Sequence, residues 1–189
     1  DFDYDPTSGI ATALGTVEIE LQNPKPTVSQ TPAWEQAASP PPPGTIRVKT
    51  SGLVFNQKTG LAATNQAVQF TFPQASGKAT GASYDSQQGV LTLDHAVEID
   101  SAGNDGTPLL VRASHAQIVR DSHQGFFEEI TCVYRGDRIS ADHATLLFRN
   151  DGSAQQINAD GKIHLQNETG TVLDSKTGVM QMDTHSQPL

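Results

Sequence analysis

The sequence predicts an all-β protein of antiparallel strands, arranged as a sandwich, a roll or a short solenoid. Apolar and polar side chains alternate in many segments, as in Leu91-Thr92-Leu93 and Val97-Glu98-Ile99, and this period of two is typical of strands with one buried and one wet face. No window shows the spacing of an amphipathic helix. Strand patterns recur about every ten residues between clusters of Gly, Asn, Asp and Ser, which is typical of antiparallel folds.

One phrase occurs three times and predicts three hairpins. Each copy has an aromatic residue followed by Asp or Asn, then a Gly four or five positions further on, then an alternating segment that contains a Val. The copies cover residues 4–17, 55–68 and 84–97, with glycines at Gly9, Gly60 and Gly89. Because Gly adopts the positive φ that a tight turn requires, each copy is interpreted as two strands joined by a short connection.

Two looser copies are predicted in the second half of the chain. One runs from Leu146-Leu147-Phe148 through Asn150-Asp151-Gly152 to Ile163-His164-Leu165. The other runs from Val172 through Gly178 to Met182 and is interpreted as a last, degenerate hairpin.

The predicted domain organisation has three parts. Residues 1–21 form a partial N-terminal repeat, residues 22–44 an insertion, and residues 45–189 the main domain. The insertion contains seven prolines and no strand period, which indicates an extended, mobile segment. Trp34 within it either anchors the segment against the sheet or contacts a partner.

Composition and charge exclude some classes of partner. The 189 residues carry a formal net charge of -9, from 21 acidic residues against 12 Lys and Arg, so we expect no nucleic-acid partner, because phosphate binding needs a basic face. The single cysteine, Cys132, lies in an apolar strand pattern and is interpreted as a buried, inert thiol. The chain begins inside the first copy of the phrase, from which we expect that an anchor or signal segment precedes it.

The sequence contains no motif that indicates an enzyme, a metal or a cofactor. It has no HExxH, CxxC or EF-hand pattern, and no G-x-S-x-G nucleophile turn. Two Asp-His pairs, Asp94-His95 and Asp142-His143, are interpreted as turn residues, because adjacent residues of a regular strand face opposite sides and cannot both ligate one ion. We therefore predict a non-enzymatic protein without metal or cofactor.

Three segments resemble a known family. LVFNQKTGLAATNQAVQF at 53–70, GKATGASYDSQQGVLTLDHAVEI at 77–99 and YRGDRISADHATLLFRNDGSAQQINADGKIHL at 134–165 are similar to the periplasmic lipopolysaccharide transport proteins of the LptC and LptA kind, with the organic-solvent-tolerance-like fold. The serial hairpins look more LptC-like than LptA-like. The proline-rich insertion departs from the compact form of that family.

The resemblance implies a fold, a ligand and partners. The fold is an antiparallel β-jellyroll of serial hairpins, open along a seam, whose apolar groove holds acyl chains of lipopolysaccharide. The partners are related jellyroll proteins stacked edge strand to edge strand and, for an LptC-like member, an inner-membrane transporter complex. The implied location is the periplasm, with an upstream membrane anchor in LptC-like members.

Alternation identifies the side chains that are expected to face the interior. Every β-sandwich needs such residues merely to pack, so core packing and groove lining remain alternative interpretations for each one. The candidate groove residues are Leu53, Phe55, Phe70, Phe72, Tyr84, Leu91, Leu93, Ile99, Val111, Leu146, Phe148 and Ile163.

The first and last strands are the candidates for strand pairing with a partner. Val17 and Ile19 represent the first strand, and Val179 and Gln181 the last. An unpaired edge accepts a strand from another chain unless the protein blocks it, and Pro24 and Pro188 lie where they would block these edges. The alternative function is an extracellular β-repeat module with a closed core that binds protein or glycan.

Overall fold

The fold is a twelve-stranded antiparallel sheet in which neighbours in sequence are neighbours in space. The structure is a computed structural model that describes residues 2–21, 46–72, 75–102, 107–149 and 154–182. The strands are β1 (Phe2–Asp5), β2 (Ile10–Leu21), β3 (Ile46–Asn56), β4 (Leu61–Phe72), β5 (Ala75–Asp85), β6 (Val90–Ala102), β7 (Pro108–Ala113), β8 (His115–Val119), β9 (Gln124–Tyr134), β10 (Asp137–Phe148), β11 (Ala154–Gln166) and β12 (Val172–Gln181).

Strand pairing follows chain order from β1 to β12. The one departure lies between β6 and β9, where β7 and β8 follow each other end to end and both pair with β6 and β9, because the strand is interrupted by a bend at Ser114. Every pairing is antiparallel, and the described residues contain no helix, hence none that could cross a membrane. The prediction of an all-β protein of serial antiparallel hairpins is confirmed.

The repeated phrase forms hairpin turns, as predicted. Asn56 accepts hydrogen bonds through Oδ1 from the backbone N–H groups of Lys58 (3.0 Å) and Thr59 (3.2 Å), so the polar residue after the aromatic caps the turn. Asp5 and Asp85 accept equivalent bonds. The turn glycines have positive φ: Gly9 (73°), Gly60 (71°) and Gly89 (64°).

Successive turns are hydrogen-bonded to one another along one side of the sheet. The carbonyl of each turn glycine accepts a hydrogen bond from a backbone N–H of the next turn. The pairs are Gly9 with Gln57 (2.9 Å), Gly60 with Ser86 (3.1 Å) and Gly89 with Arg120 (2.9 Å). The repeat therefore sets the position of each turn relative to the next, not only its local shape.

The long strands bend near their middles, along one line across the sheet. The register shifts there in six of the strand pairings, and the same line passes through the break at Ser114. Residues on the line have positive φ: Gly52, Gly81, Ala96, Glu129, Gly161 and Lys162. Such bulges bend a strand and increase its twist, so the line divides the sheet into two limbs.

Burial indicates that the two limbs cover each other. Leu93 is 0% exposed and Phe70 is 1% exposed, although they lie on opposite sides of the bend line and no helix of the described residues could cover them. Both belong to one hydrophobic cluster. Since a single flat sheet would leave one face wet, the inner faces of the limbs must pack together, which gives a jellyroll-like roll. The predicted open seam remains a prediction.

Two sequence interpretations were wrong. The segment 172–182 is not a hairpin, because β12 continues through Gly178, which pairs with Ala159 of β11. Asp94-His95 and Asp142-His143 are not in turns but lie inside β6 and β10, at the bend line.

The predicted proline-rich insertion, with Trp34, lies outside the described residues. β2 and β3, on either side of it, pair directly with each other, so the partial repeat at 1–21 contributes the first two strands of the sheet.

Candidate functional site

A row of inward-facing side chains crosses the sheet near the hairpin turns. We call it the turn-side row. Directly opposed residues of antiparallel strands project to the same face, so the register identifies its members without a gap from β1 to β12. They are Tyr4, Ala11, Phe55, Ala62, Tyr84, Leu91, Ile118, Gly125, Leu146, Ile157 and Met180. At about 4.8 Å per strand, the row is about 48 Å long.

A second continuous row crosses the other limb, and we call it the far-side row. It begins at β2 and ends at β12, and it contains no charged side chain. Its members are Ile19, Val48, Phe70, Gly77, Ile99, Val111, Cys132, Ile139, Leu165 and Leu173. The two rows therefore form two apolar bands on the inner faces of the two limbs.

Burial falls with distance from the bend line. Beside the line, Leu93 and Ala116 are 0% exposed and Val68 and Val97 are 1% exposed. Away from the line, most side chains of both rows are only half-buried, for example Tyr84. The roll is therefore packed at its bend, and its inward side chains are more accessible to solvent where the turn-side and far-side rows lie. We refer to these two inward rows together as the cleft.

The cleft is uncovered at both ends of the sheet. Tyr4 is 45% exposed and Phe55 is 38% exposed at the β1 end, and Leu173 is 58% exposed at the β12 end. Of the eleven exposed large hydrophobic side chains among the described residues, seven belong to β1–β4, three to β12, and one, Phe126, to β9. Exposed apolar surface is thus concentrated at the two edges.

The candidate groove residues fall into three environments. Four candidates are buried and pack the core: Leu91, Leu93, Phe70 and Ile163. A second group is half-buried: Leu53, Tyr84, Ile99, Val111, Leu146 and Phe148. Phe55 is exposed, and Phe72 ends β4 with its side chain outside the described residues. The half-buried group and Phe55 are therefore the candidates that a ligand could reach.

Sequence reasoning missed several members of the cleft. Tyr4, Ile157 and Met180 belong to the turn-side row by register, yet their local sequence shows no stronger alternation than that of their neighbours. Arg120 was also missed. Its guanidinium donates a hydrogen bond to the hydroxyl of Tyr84 (3.5 Å) and another to Asp121 (3.0 Å), and the bond to Asp121 raises the pKa of Arg120.

The predicted edge residues lie on two different kinds of edge. Val17 and Ile19 face inward in a part of β2 that pairs with β3 on one side, while β1 reaches only residues 10–13 on the other. Val179 and Gln181 face outward on β12, which pairs only with β11 among the described strands. The amide of Gln181 donates a hydrogen bond to Gln156 Oε1 (2.8 Å).

The electrostatic environment differs between the two faces of the sheet. On the outer face, Glu98 is held between Lys78 (3.0 Å) and Arg112 (3.3 Å), and the hydrogen bond from Lys78 is the main reason that the pKa of Glu98 is lowered. On the inner face, removal from water raises the pKa of the Cys132 thiol to about 11. The thiol is therefore neutral at physiological pH, in keeping with its place in an apolar row.

The chemistry available in the cleft is binding through apolar contact. Within the described ranges, no three His, Cys, Asp or Glu side chains are placed to hold a metal ion. The side chains along the turn-side row offer rings and methyl groups, with the hydroxyls of Tyr4 and Tyr84 at two points.

No protein-family model matches this chain, and a search of curated proteins finds no significant match.

Proposed function

We propose that this chain is a non-enzymatic lipid-transport module of the periplasm, LptC-like in preference to LptA-like. In this role it binds the acyl chains of lipopolysaccharide in the apolar cleft and passes them toward the outer membrane. What carries the proposal is the continuity of the two inward rows across the sheet. The turn-side row ends in exposed side chains at β1, and the far-side row ends in an exposed side chain at β12.

The energetics of acyl chains fit a half-open cleft. Each methylene group removed from water contributes about 0.8 kcal/mol, so an apolar lining alone binds a lipid with several chains and needs no specific polar contact. Full enclosure would hold the chains too tightly for release. Half-buried side chains such as Tyr84 and Leu146 would cover a chain on one side only, which favours transfer to the next module.

The exposed ends of the rows support partner docking at the edges. An apolar row that stops at an edge strand leaves Tyr4, Phe55 and Leu173 in water, which is unfavourable unless another sheet continues the row. We propose that related jellyroll domains stack there by strand addition, which supplies main-chain hydrogen bonds as well as apolar cover. For an LptC-like member, one of these partners belongs to the inner-membrane transporter complex and an upstream segment supplies the anchor.

The experiment is photo-crosslinking of purified lipopolysaccharide to single photoreactive residues. Phe55, Tyr84 and Phe148 are replaced in turn, because they face inward and are not fully buried. Val54 is the matched control: it is the neighbour of Phe55, it is 41% exposed against 38% for Phe55, and it faces outward. We expect crosslinks at the three inward positions and only background labelling at Val54.

Equal labelling at Phe55 and Val54 would mean that lipid adsorbs to any exposed apolar group at this edge. Labelling at none of the inward positions, in protein whose thermal unfolding matches that of the unmodified chain, would exclude the cleft as the lipid path.

A further inference from the structure

The outer face of the sheet carries a cleft that the lipid path does not use. It has a volume of about 320 Å³ and is lined by residues of β8, β9 and β10. A smaller cleft of about 110 Å³ adjoins it on β10 and β11 and shares His143 and Thr145. The register places their outward side chains in two short rows: Gln117, Phe126, Thr145 and Asn158 in one, and His115, Glu128, His143 and Asp160 in the other.

Phe126 is an unusual residue for the place it occupies. It is 40% exposed on a central strand, whereas the other exposed large hydrophobic side chains of the described residues lie in β1–β4 and β12. Its neighbour Phe127 faces inward and is 4% exposed, so the core does not need Phe126. An aromatic ring left in water on a central strand presents a flat apolar surface on which a ligand can stack.

The polar side chains around Phe126 have no partners of their own. In the part of the chain that the structure describes, no hydrogen bond or ion pair engages the side chains of Gln117, Glu128, His143 or Thr145. Elsewhere on the outer face, polar side chains do pair, as in the contacts of Glu98 with two cations. An amide, a carboxylate, an imidazole and a hydroxyl are therefore all free to bond a ligand.

The charges around the outer cleft disfavour an anionic ligand. Glu128 and Asp160 contribute two carboxylates, and neither lining contains Lys or Arg. An anion such as a phosphate would meet like charge and find no cationic partner. Among ligands without negative charge, the exposed ring of Phe126 favours one with an apolar face, and the amide and carboxylate side chains favour one with closely spaced hydroxyl groups.

We infer that this outer cleft binds a neutral saccharide, with one pyranose ring stacked on Phe126. The C–H groups of one face of the sugar lie against the aromatic ring, where the π electrons attract them. Vicinal hydroxyl groups donate to Glu128 and exchange hydrogen bonds with Gln117 and Thr145, which flank the ring on the adjacent strands. The patch is about 14 Å wide over four strands, so two or three sugar units fit across it.

This site and the lipid path can fail separately, because they lie on opposite faces of the sheet. Phe126 and Glu128 face outward, and their strand neighbours Gly125 and Phe127 face the core.

The experiment is an NMR titration of the ¹⁵N-labelled chain with neutral hexasaccharides of glucose, mannose and N-acetylglucosamine. A galacturonic acid hexasaccharide serves as the anionic probe. Polysaccharide released from lipopolysaccharide by mild acid forms a separate arm, which distinguishes a glycolipid source of the sugar from a free glycan. We expect at least one neutral probe to shift the backbone amides of Gln117, Phe126 and Thr145, and the anionic probe to leave them unchanged.

Variants then test the assignment of each contact. Phe126→Ala is expected to weaken the association at least about tenfold, while Phe126→Trp retains it because a larger ring still stacks. Glu128→Gln tests the carboxylate without changing its shape. Leu61→Ala is the matched control, because Leu61 is 41% exposed and lies on β4, away from the cleft.

Three results would overturn the inference. The first is that no neutral saccharide shifts these amides. The second is that binding survives both Phe126→Ala and Glu128→Gln. The third is that the galacturonic acid probe binds as tightly as the neutral ones, which would indicate non-specific adsorption.

Discussion

The central strands and the edge strands carry the same inward rows but bury them to different degrees. In the far-side row, Phe70 of β4 is 1% exposed and Leu173 of β12 is 58% exposed. In the turn-side row, Leu91 of β6 is 6% exposed and Tyr4 of β1 is 45% exposed. Residue type does not explain the difference. A side chain is buried where its strand has neighbours on both sides and the other limb covers it. Both rows are therefore core in the middle, while the turn-side row is accessible at β1 and the far-side row at β12.

The largest effect is expected from adding a methyl group to a central glycine. A Cβ on Gly77 would lie inside van der Waals contact of both the Glu98 carbonyl oxygen and the Phe70 ring, and neither can move without breaking the core. We expect Gly77→Ala to lower the free energy of unfolding by more than about 4 kcal/mol. Urea denaturation followed by circular dichroism measures it.

The matched control for that change is Gly178→Ala on the edge strand β12. The nearest atom to its added Cβ would be the flexible end of Ile163, at 3.2 Å, so we expect a change of less than about 1 kcal/mol. Equal losses of unfolding free energy for Gly77→Ala and Gly178→Ala would contradict the difference in packing between the central and edge strands.

Truncation of a leucine in each region is expected to have the next largest effect. Leu93→Ala removes a side chain that is 0% exposed and should cost about 3 kcal/mol, because a cavity remains. Leu173→Ala removes the same atoms from a position that is 58% exposed and should cost less than about 0.5 kcal/mol. The same denaturation assay compares them, and a cost at Leu173 as large as that at Leu93 would mean that the edge row is covered.

The ionisation of the Cys132 thiol tests whether the far-side row excludes water in the central strands. Its pKa rises from 9.0 to about 11 on folding, so the unfolded chain loses its proton first as the pH rises. The stability that the folded chain gains by keeping this thiol neutral is therefore fully present below pH 9.0. About 2 kcal/mol of the free energy of unfolding is lost as the pH rises from 9.0 to about 11. We expect the stability of the wild-type chain to fall more steeply over that range than that of Cys132→Ala.

Alkylation provides a second measurement on the same residue. Iodoacetamide reacts with the thiolate, so at neutral pH the folded chain should react much more slowly than the chain in urea. Equal alkylation rates would show that Cys132 is open to water.

The smallest effect is expected on the outer face of the central strands. The pKa of Glu98 lies below 4.5, first because of the hydrogen bond from Lys78 and then because of Arg112. Its contribution to stability is therefore present above pH 4.5 and is lost as the pH falls through the lowered value. Lys78→Gln should move the pKa of Glu98 back toward 4.5, which NMR titration of the carboxyl measures, with little change in stability at neutral pH.

Hairpin turns could be predicted from the sequence because their causes are local. An Asx residue that caps the turn and a Gly with positive φ lie within five positions of each other, as in Asn56 and Gly60. The same logic failed at Gly178. There the glycine faces Ile163 of the neighbouring strand, and only the partner strand shows why a glycine is present.

The bend line could not be predicted, because it depends on the alignment of many strands. Gly81 and Gly161 resemble turn glycines in the sequence, yet each lies inside a strand and faces a carboxylate of a neighbouring strand. A Cβ on Gly81 would meet Asp94 of β6, and a Cβ on Gly161 would meet Asp142 of β10. Those two carboxylates belong to the Asp-His pairs that were interpreted as turn residues. Each pair of Gly and Asp instead lies where two neighbouring strands bend together.

The candidate site was only partly predictable for a related reason. Alternation predicts which side chains face inward, and the register agrees for Tyr84, Leu91 and Leu146. Alternation contains no information on depth, so it could not separate fully buried Leu93 from exposed Phe55. Nor could it identify Phe126 as an exposed ring, because the sequence does not show which of the two neighbours Phe126 and Phe127 faces the core.

The most direct test of a lipid path that opens at the sheet edge compares two neighbouring residues at the β12 end of the cleft. Leu173 faces inward at the end of the far-side row and is 58% exposed, and Val172 faces outward and is 50% exposed. Each is replaced by Asp, and binding of a fluorescent fatty-acyl probe is measured by titration. We predict that Leu173→Asp weakens binding at least about tenfold while Val172→Asp leaves it unchanged. Equal binding by the two variants would contradict a lipid path that opens at the sheet edge.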